Sequence, residues 1–385
     1  MTMIICWNLG CSLGCLDEEK RALQDIRESM GYACEYFYPD RHSVDCCRWD
    51  GVHCSPTSSH VIRIFFYHEK QDEDQWFPDM SLFSQLKQLQ ELHLEGNHIG
   101  GLTNPEGTIS NLPVFMQLGA LLLGANQFRG HLPKQFCQMQ MLQFLDFSKN
   151  KFSGNIPSCL NNNSVWRKKF QASSWVPIDF TTKGNSYSYQ GIPLTLMTGI
   201  DFSVNELAGA IPYKIGELSE LHSLNLSQNL LTGHIPTSFK NLTNLESLDL
   251  SHNNLTGQIP PEIVQINTLS TFSVAFNNLS GRIPSNEQLS TFSESSFQGN
   301  QKLYGDQLLR KCSGNDNEDD GGKENPNERA EDSVLDNHLL FYSLVFISYA
   351  VGFWSVIAPL CISSNWRRKY FATVDGWIEY LSDKL

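Results

Sequence analysis

The sequence predicts an α/β repeat solenoid, curved, with one short parallel strand per coil, followed by one transmembrane helix. Three observations predict it. A single pattern recurs every 24 residues through the middle of the chain. A cysteine-bearing segment stands in front of that array, and a 24-residue stretch without any charge lies near the carboxyl end. A unit of this length with one strand cannot bury its apolar face alone, so neighbours must stack into a continuous core.

The composition fits this class and excludes others. There are 28 basic and 41 acidic residues in 385, a formal net charge of −13. A nucleic-acid partner needs a basic footprint, and none is present. Hydrophobic residues make up 41%, which excludes wholesale disorder. No glycine-rich phosphate loop, zinc-binding helix or nucleophile elbow occurs, so the chain is not expected to be an enzyme and no cofactor is expected.

Residues 1–14 form a weak signal segment, apolar at Ile4, Ile5, Trp7 and Leu9 but without a basic start. Residues 15–85 form an amino-terminal cap. Its helix is expected from Asp17 to about Met30, with Ala22, Leu23, Ile26 and Met30 on one face. Cys15, Cys46, Cys47 and Cys54 lack the paired C-x2-C spacing of a metal site, so they are read as disulfide cysteines. The adjacent Cys46 and Cys47 need separate partners; spacing alone does not choose them. Cys34 is left over.

The repeats run over 86–160 and 194–284. Each carries an Asn that opens a turn, at Asn97, Asn126, Asn150, Asn205, Asn229, Asn253 and Asn277. Its amide has donors and an acceptor for backbone groups left open there. The outward strand positions form a column of His93, Leu122, Asp146, Asp201, Asn225, Asp249 and Ser273, which could draw a cationic ligand, although Asp and Asn are common filler at this place. Cys137 and Cys159 lie in adjacent coils at similar phase and fit a bridge. Asn97 and Asn126 are 29 apart, an irregular join.

Between Asn150 and Asn205 the spacing is 55, so about 31 extra residues are expected to interrupt the stack; this island is assigned to 161–193. Its aromatic and basic residues, above all Trp166, Trp175, Lys183, Tyr187 and Tyr189, make it the candidate ligand face. Asn162, Asn225, Asn241, Asn254 and Asn278 begin N-x-S/T sequons, candidates for glycosylation outside the cell.

A carboxyl cap is assigned to 285–312, and an acidic stalk to 313–338 with nine acids and two bases between Asn315 and Asp336. Leu339 to Ile362 would be about 36 Å long as a helix, enough for a ~30 Å hydrocarbon core. Arg367, Arg368 and Lys369 follow it, so residues 363–385 are expected in the cytoplasm and the body outside the cell. The localisation expected is therefore the plasma membrane, with a single pass. Twenty-three residues after the span are too few for a kinase domain.

The repeats with their G-x-I-P ends, the Cys-Cys-x-Trp-x-Gly-Val-x-Cys segment, the insert, the acidic stalk and the basic tail together resemble plant leucine-rich-repeat receptor-like proteins. The likeness is most specific at Ser273 to Asn300 and at Asn365 to Leu381. It implies cap bridges Cys15–Cys46 and Cys47–Cys54, an island that helps to hold ligand, and four repeats after it, as at Asn205, Asn229, Asn253 and Asn277. It implies recognition of an extracellular peptide or microbial ligand, in defence or development, and signalling through adaptor and co-receptor leucine-rich-repeat receptor kinases. It also implies a small-residue seam for helix pairing, which Ser348 and Gly352 fit. Three departures stand out: few repeats before the island, a poor signal, and Leu303-Tyr304-Gly305 where the family has Leu-Cys-Gly, which leaves Cys312 without a partner. They favour a shortened paralogue, and the alternative function is a decoy acting only as an interaction module.

Overall fold

The computed structural model describes residues 15–29, 45–66, 79–97, 99–100, 112–163, 165–166, 178–182, 185–189, 197–285 and 288–308. The chain divides into two units, Met1–Gly314 and Asn315–Leu385, and every described residue belongs to the first.

Helix α1 (Asp17–Ser29) opens the described chain, with Asp17, Glu18 and Glu19 in its first turn, where acids suit the helix dipole. Ala22, Leu23 and Ile26 are buried against the first coils. Glu19 is also buried: its carboxylate accepts from the backbone N–H of Val61 at 2.9 Å and lies 3.0 Å from His60 Nδ1, which ties the helix to the first strands. Disulfides join Cys15 to Cys46, Cys47 to Cys54 and Cys137 to Cys159.

The strands are numbered in chain order. One sheet has β1 (Val52–Cys54), β2 (Val61–Phe65), β3 (Glu91–His93), β4 (Ala120–Leu122), β6 (Phe144–Asp146), β10 (Gly199–Asp201), β12 (Ser223–Asn225), β14 (Ser247–Asp249) and β16 (Thr271–Ser273). All its pairs are parallel except β1 with β2. The middle residues Leu92, Leu121, Leu145, Ile200, Leu224, Leu248 and Phe272 point inward and are buried. Each such side chain contributes roughly 1.5–3 kcal/mol by leaving water.

Two expectations about the coils need correction. A second sheet of seven strands runs beside the first: β5 (Arg129–His131), β7 (Lys151–Asn155), β11 (Glu206–Ala210), β13 (Leu230–Gly233), β15 (Asn254–Gly257), β17 (Asn278–Arg282) and β18 (Lys302–Tyr304). Most coils thus carry two strands, because the segment before each Ile-Pro or Leu-Pro lies extended beside its neighbour's and pairs with it. On the far side of the coils the described residues form 3-10 turns, such as Tyr213–Glu217 and Thr237–Asn241, and α1 is the one α-helix among them.

The stack is also not interrupted. β6 pairs directly with β10, and β3 directly with β4, so both extra lengths leave the solenoid and return to the next coil in register. The asparagines carry this continuity. Asn229 Nδ2 donates to the carbonyls of Phe202, Leu226 and Ser227, and its Oδ1 accepts from Leu207 N at 3.0 Å. Asn205 does the same across the island, donating to Phe147 O and accepting from Phe152 N at 2.9 Å. Buried backbone groups need such partners.

The sequence reading did not include the last rung. Asn300 donates to Val274 O and accepts from Leu279 N at 3.0 Å, so the carboxyl cap begins with a degenerate coil. The residue before each Asn has φ > 0. At the two ends of the ladder it is Gly96 (69°) and Gly299 (81°), for which this conformation is easy; inside it is Ala125, Lys149, Val204, Gln228, His252 or Phe276.

Candidate functional site

The outward column predicted from spacing is one physical row. His93, Leu122, Asp146, Asp201, Asn225, Asp249 and Ser273 are successive Cα partners across the first sheet. The acids have a local role: Oδ1 of Asp146, Asp201 and Asp249 each accepts from the backbone N–H two residues on, at 2.8–2.9 Å. Asn225 Oδ1 does the same with Ser227 N at 3.1 Å. Either residue type therefore closes this turn, which is why both occur in the column.

The island supplies a cover for part of this face. It contains an antiparallel hairpin, β8 (Ile178–Thr182) and β9 (Asn185–Tyr189). Phe180 is buried in a small cluster with Ala120, Leu122, Phe144 and Met197, and Tyr189 packs at its edge. Gly199 makes room for it: a Cβ there would lie 2.3 Å from Phe180 Cε1. Along the sheet the cover ends early. Asp201 is 1% exposed, whereas Asp146 on one side and Asn225, Asp249 and Ser273 on the other are half-buried.

Burial and charge repulsion act together at Asp146 and Asp201. Enclosure raises the Asp146 carboxyl to about 6, against hydrogen bonds from Ser148 that lower it, with Glu95 adding to the rise. Enclosure, then the neighbouring Asp146, raises Asp201 to about 7. Asn225 Nδ2 donates to Asp201 Oδ2 at 3.2 Å. A third perturbed group begins the row. Burial works to lower the His93 imidazole, but Glu91 and Glu95, 3.5 and 3.4 Å from its two nitrogens, outweigh it and hold it above its usual value. Arg63 Nε completes this buried ionic group, 2.9 Å from Glu91, and the Phe65 ring lies 4.1 Å from that of His93.

The expected ligand-face residues divide. Trp166 is corrected: it is 0% exposed in the main core, its indole N–H donates to Gln143 O at 3.1 Å, and Glu220 N donates to its carbonyl. It anchors the start of the island instead of facing outward. Tyr187 is exposed and Tyr189 half-buried, their rings 6.3 Å apart. Trp175, Lys183, Cys34, Cys312, Ser348 and Gly352 lie outside the described residues, as do the signal segment, stalk, span and tail. No helix among the described residues is long and apolar enough to cross a membrane.

Four sequon asparagines, Asn162, Asn241, Asn254 and Asn278, are exposed. Asn225 differs, because its amide is half-buried and bonded at both ends. Phe180 and Gly199 were missed from sequence. The available signal was the alternation I-D-F-T-T and N-S-Y-S-Y around Lys183-Gly184, a hairpin pattern.

Comparison with known proteins agrees with this architecture. Two family profiles match, "Leucine rich repeat" at residues 219–279 and "Leucine Rich Repeat" at 141–163. The chain is 43% identical over 322 residues to Receptor-like protein EIX2 of Solanum lycopersicum, covering 78% of this chain and 31% of that protein. It is 54% identical over 204 residues to Cuscuta receptor 1 of the same species, covering 53% of this chain and 18% of that protein. The chain thus spans a third or less of the length of these relatives. The crystal structure of PEPR1-AtPEP1 superposes with a TM-score of 0.52 at 22% identity, over 71% of this chain and 33% of that one, a likeness of fold alone. By its repeats, its caps and these relatives, the chain belongs to the plant leucine-rich-repeat receptor-like proteins, a non-enzymatic family.

Proposed function

We propose that the chain is a cell-surface receptor-like protein that holds an extracellular peptide or other ligand against its concave sheet and signals by association with leucine-rich-repeat receptor kinases. The observation that carries this reading is the hairpin seated on the outward face of the first sheet, with Phe180 against Leu122, Phe144 and Gly199. Beyond the strands that β8 touches, Asp249 and Ser273 continue the row as half-buried polar residues. An extended chain laid on that face would meet the hairpin, whose second strand carries the exposed Tyr187. The relatives named as receptors support the same class.

In this reading Leu339–Ile362 is the membrane anchor, the body lies outside, and Ser348 and Gly352 let a partner helix approach closely. Glycans belong on Asn162, Asn241, Asn254 and Asn278, and Asn225 stays bare because a glycan would break its buried bonds. Tagged full-length chain expressed in plant cells should reach the surface as a glycosylated species and co-precipitate receptor kinases of the repeat class. Ser348→Leu with Gly352→Leu should reduce that recovery several-fold. Retention inside the cell, or recovery unchanged by the pair, would overturn the reading or its seam respectively.

A further inference from the structure

The residue before each ladder asparagine belongs to neither sheet and lies between the two strands of its coil. From Lys149 this row runs through Val204, Gln228, His252 and Phe276 to Gly299, all with φ > 0. A bulky side chain is out of place in that conformation, and the last one is an aromatic ring that meets water. Phe276 is 45% exposed, the one exposed phenylalanine among the described residues. Single exposed apolar residues are ordinary, but this ring is not single. It lies flat against the imidazole of the exposed His252, with centroids 4.4 Å apart and planes 18° from parallel. The following coil brings Gly299, where a Cβ would come within 2.6 Å of Phe276 Cδ1, so this position adds no side chain over the ring. The stack ends in an open aromatic face.

Two residues after each of these rings stands an exposed sequon asparagine. Asn254 follows His252 and opens Asn254-Leu255-Thr256; Asn278 follows Phe276 and opens Asn278-Leu279-Ser280. The residue between is the ladder asparagine in both cases, its amide bonded to backbone carbonyls of its own and the preceding coil. Ring and sequon asparagine thus flank one fixed rung. The other exposed sequons lack this arrangement. Two residues before Asn241 is Phe239, and two before Asn162 is Leu160, each 1% exposed in the core. A sugar in its chair form presents axial C–H bonds, slightly positive, on one face. The face of an aromatic ring is the negative part of its quadrupole, so the two attract, and both leave water on contact.

We propose that Phe276, backed by His252, is a platform for the first sugar of an N-linked glycan on Asn278, so that the chain's own carbohydrate covers the open aromatic face. The sequon names the occupant: a sugar joined to Asn278 is tethered two residues from the ring and meets it at high effective concentration. The held glycan sheathes this flank of the last coils. This rests on the proposal that the body lies outside the cell, where such glycans are carried.

Full-length chain purified from plant cells tests it. The native protein is treated with an enzyme that cuts the glycan core, and release is followed at each sequon by peptide mass spectrometry. Release at Asn278 should be about three- to ten-fold slower than at Asn162 and Asn241, the range that a ring contact gives. Unfolding the chain first should erase the lag. Phe276→Ala should abolish it with the sequon untouched, and Phe276→Tyr should keep it. Ala125 stands at the same turn position with φ 54°, so alanine suits the turn; Gln228 does too, and Phe276→Gln repeats the test should the first variant fold poorly. Equal release at the three sites, or a lag that survives Phe276→Ala, overturns the proposal. Glycans on Asn162 and Asn241 with Asn278 bare overturn it while leaving the extracellular reading intact, whereas no glycan at any sequon overturns both. If Phe276→Ala leaves release unchanged but lowers recovery of receptor kinases, the ring belongs to a protein partner and the platform is refuted.

Discussion

The coils after the island and those before it share one frame but are held differently. From Asn205 to Asn300 one asparagine per coil joins it to the next, buried throughout except at the half-buried Asn277. From Cys15 to Cys159 the same ladder is supplemented by three disulfides and a buried Arg63–Glu91–His93–Glu95 group. The regular half is stabilised by identical neutral contacts and the irregular half by charges and cross-links. The difference teaches that the backbone ladder tolerates large insertions, provided they leave and return between coils.

The sharpest way to break this comparison is to remove one rung from each half. Asn253 Nδ2 serves the carbonyls of Leu226, Leu250 and Ser251, and its Oδ1 accepts from Leu231 N. Asn253→Ala leaves these buried groups unpaired and should cost about 3–5 kcal/mol in denaturant unfolding. The Asn97 side chain donates to Phe66 O and Glu95 O, two bonds where the Asn253 side chain makes four. Asn97→Ala should cost less than half as much. Equal losses would mean that the cap adds nothing to the ladder. Next in size is the cross-link between coils: Cys137→Ser with Cys159→Ser opens a loop of 22 residues and should cost about 3 kcal/mol. That loss should appear in the half before the island and leave the exchange rates of β14 and β16 unchanged.

Much of this was legible in letters, for reasons that also explain what was not. The 24-residue phase fixes which strand residues point inward, and it also placed the outward row correctly, because both follow from strand alternation. Asn300 escaped because its coil departs from the leucine pattern around it while keeping the Asn that the turn requires. The second strand escaped because N-x-L-x-G reads as a turn until a neighbour pairs with it. Contacts such as Phe180 on Gly199 and Phe144 join segments whose separation carries no period. His93 reads as an outward position, and only the fold brings it together with Glu91 and Arg63 in a buried group.

The two halves should also differ in their response to pH. His93 is raised in the folded state, so its contribution is whole below its ordinary 6.5 and is lost as pH climbs through the raised value. Asp146 and Asp201 are raised as well, so the folded chain keeps protons that the unfolded chain has released, and stability falls from about 4 up through about 7. The signs agree. Between about pH 5 and pH 8 the coils from β3 to β10 should lose about 1–3 kcal/mol, allowing for solvent screening. His93→Gln should remove the part of that loss that depends on Glu91 and Glu95. Exchange measured separately for β3–β6 and β14–β16 decides it; equal slopes in the two would remove the electrostatic side of the comparison.

The smallest effect lies where the halves meet. Val204 opens the first coil after the island and stands at φ 55°, a left-handed conformation that crowds a β-branched side chain. The ends of the ladder use Gly96 and Gly299 here, so the conformation belongs to the turn and the strain belongs to valine. Its backbone N–H donates to Ser227 O at 3.0 Å, which fixes the peptide in place whatever the side chain. The side chain is half-buried, so little packing is lost with it. Asn tolerates this region, and Val204→Asn should raise stability by about 0.5–1 kcal/mol, seen as a rise of a few degrees in melting temperature. Gln228→Asn in the next coil removes no β-branch and should give less. If both substitutions gain equally, the strain is not valine's. If Val204→Asn destabilises, the coil that receives the island return relies on the valine methyls, and the join is a packing contact in addition to a ladder rung.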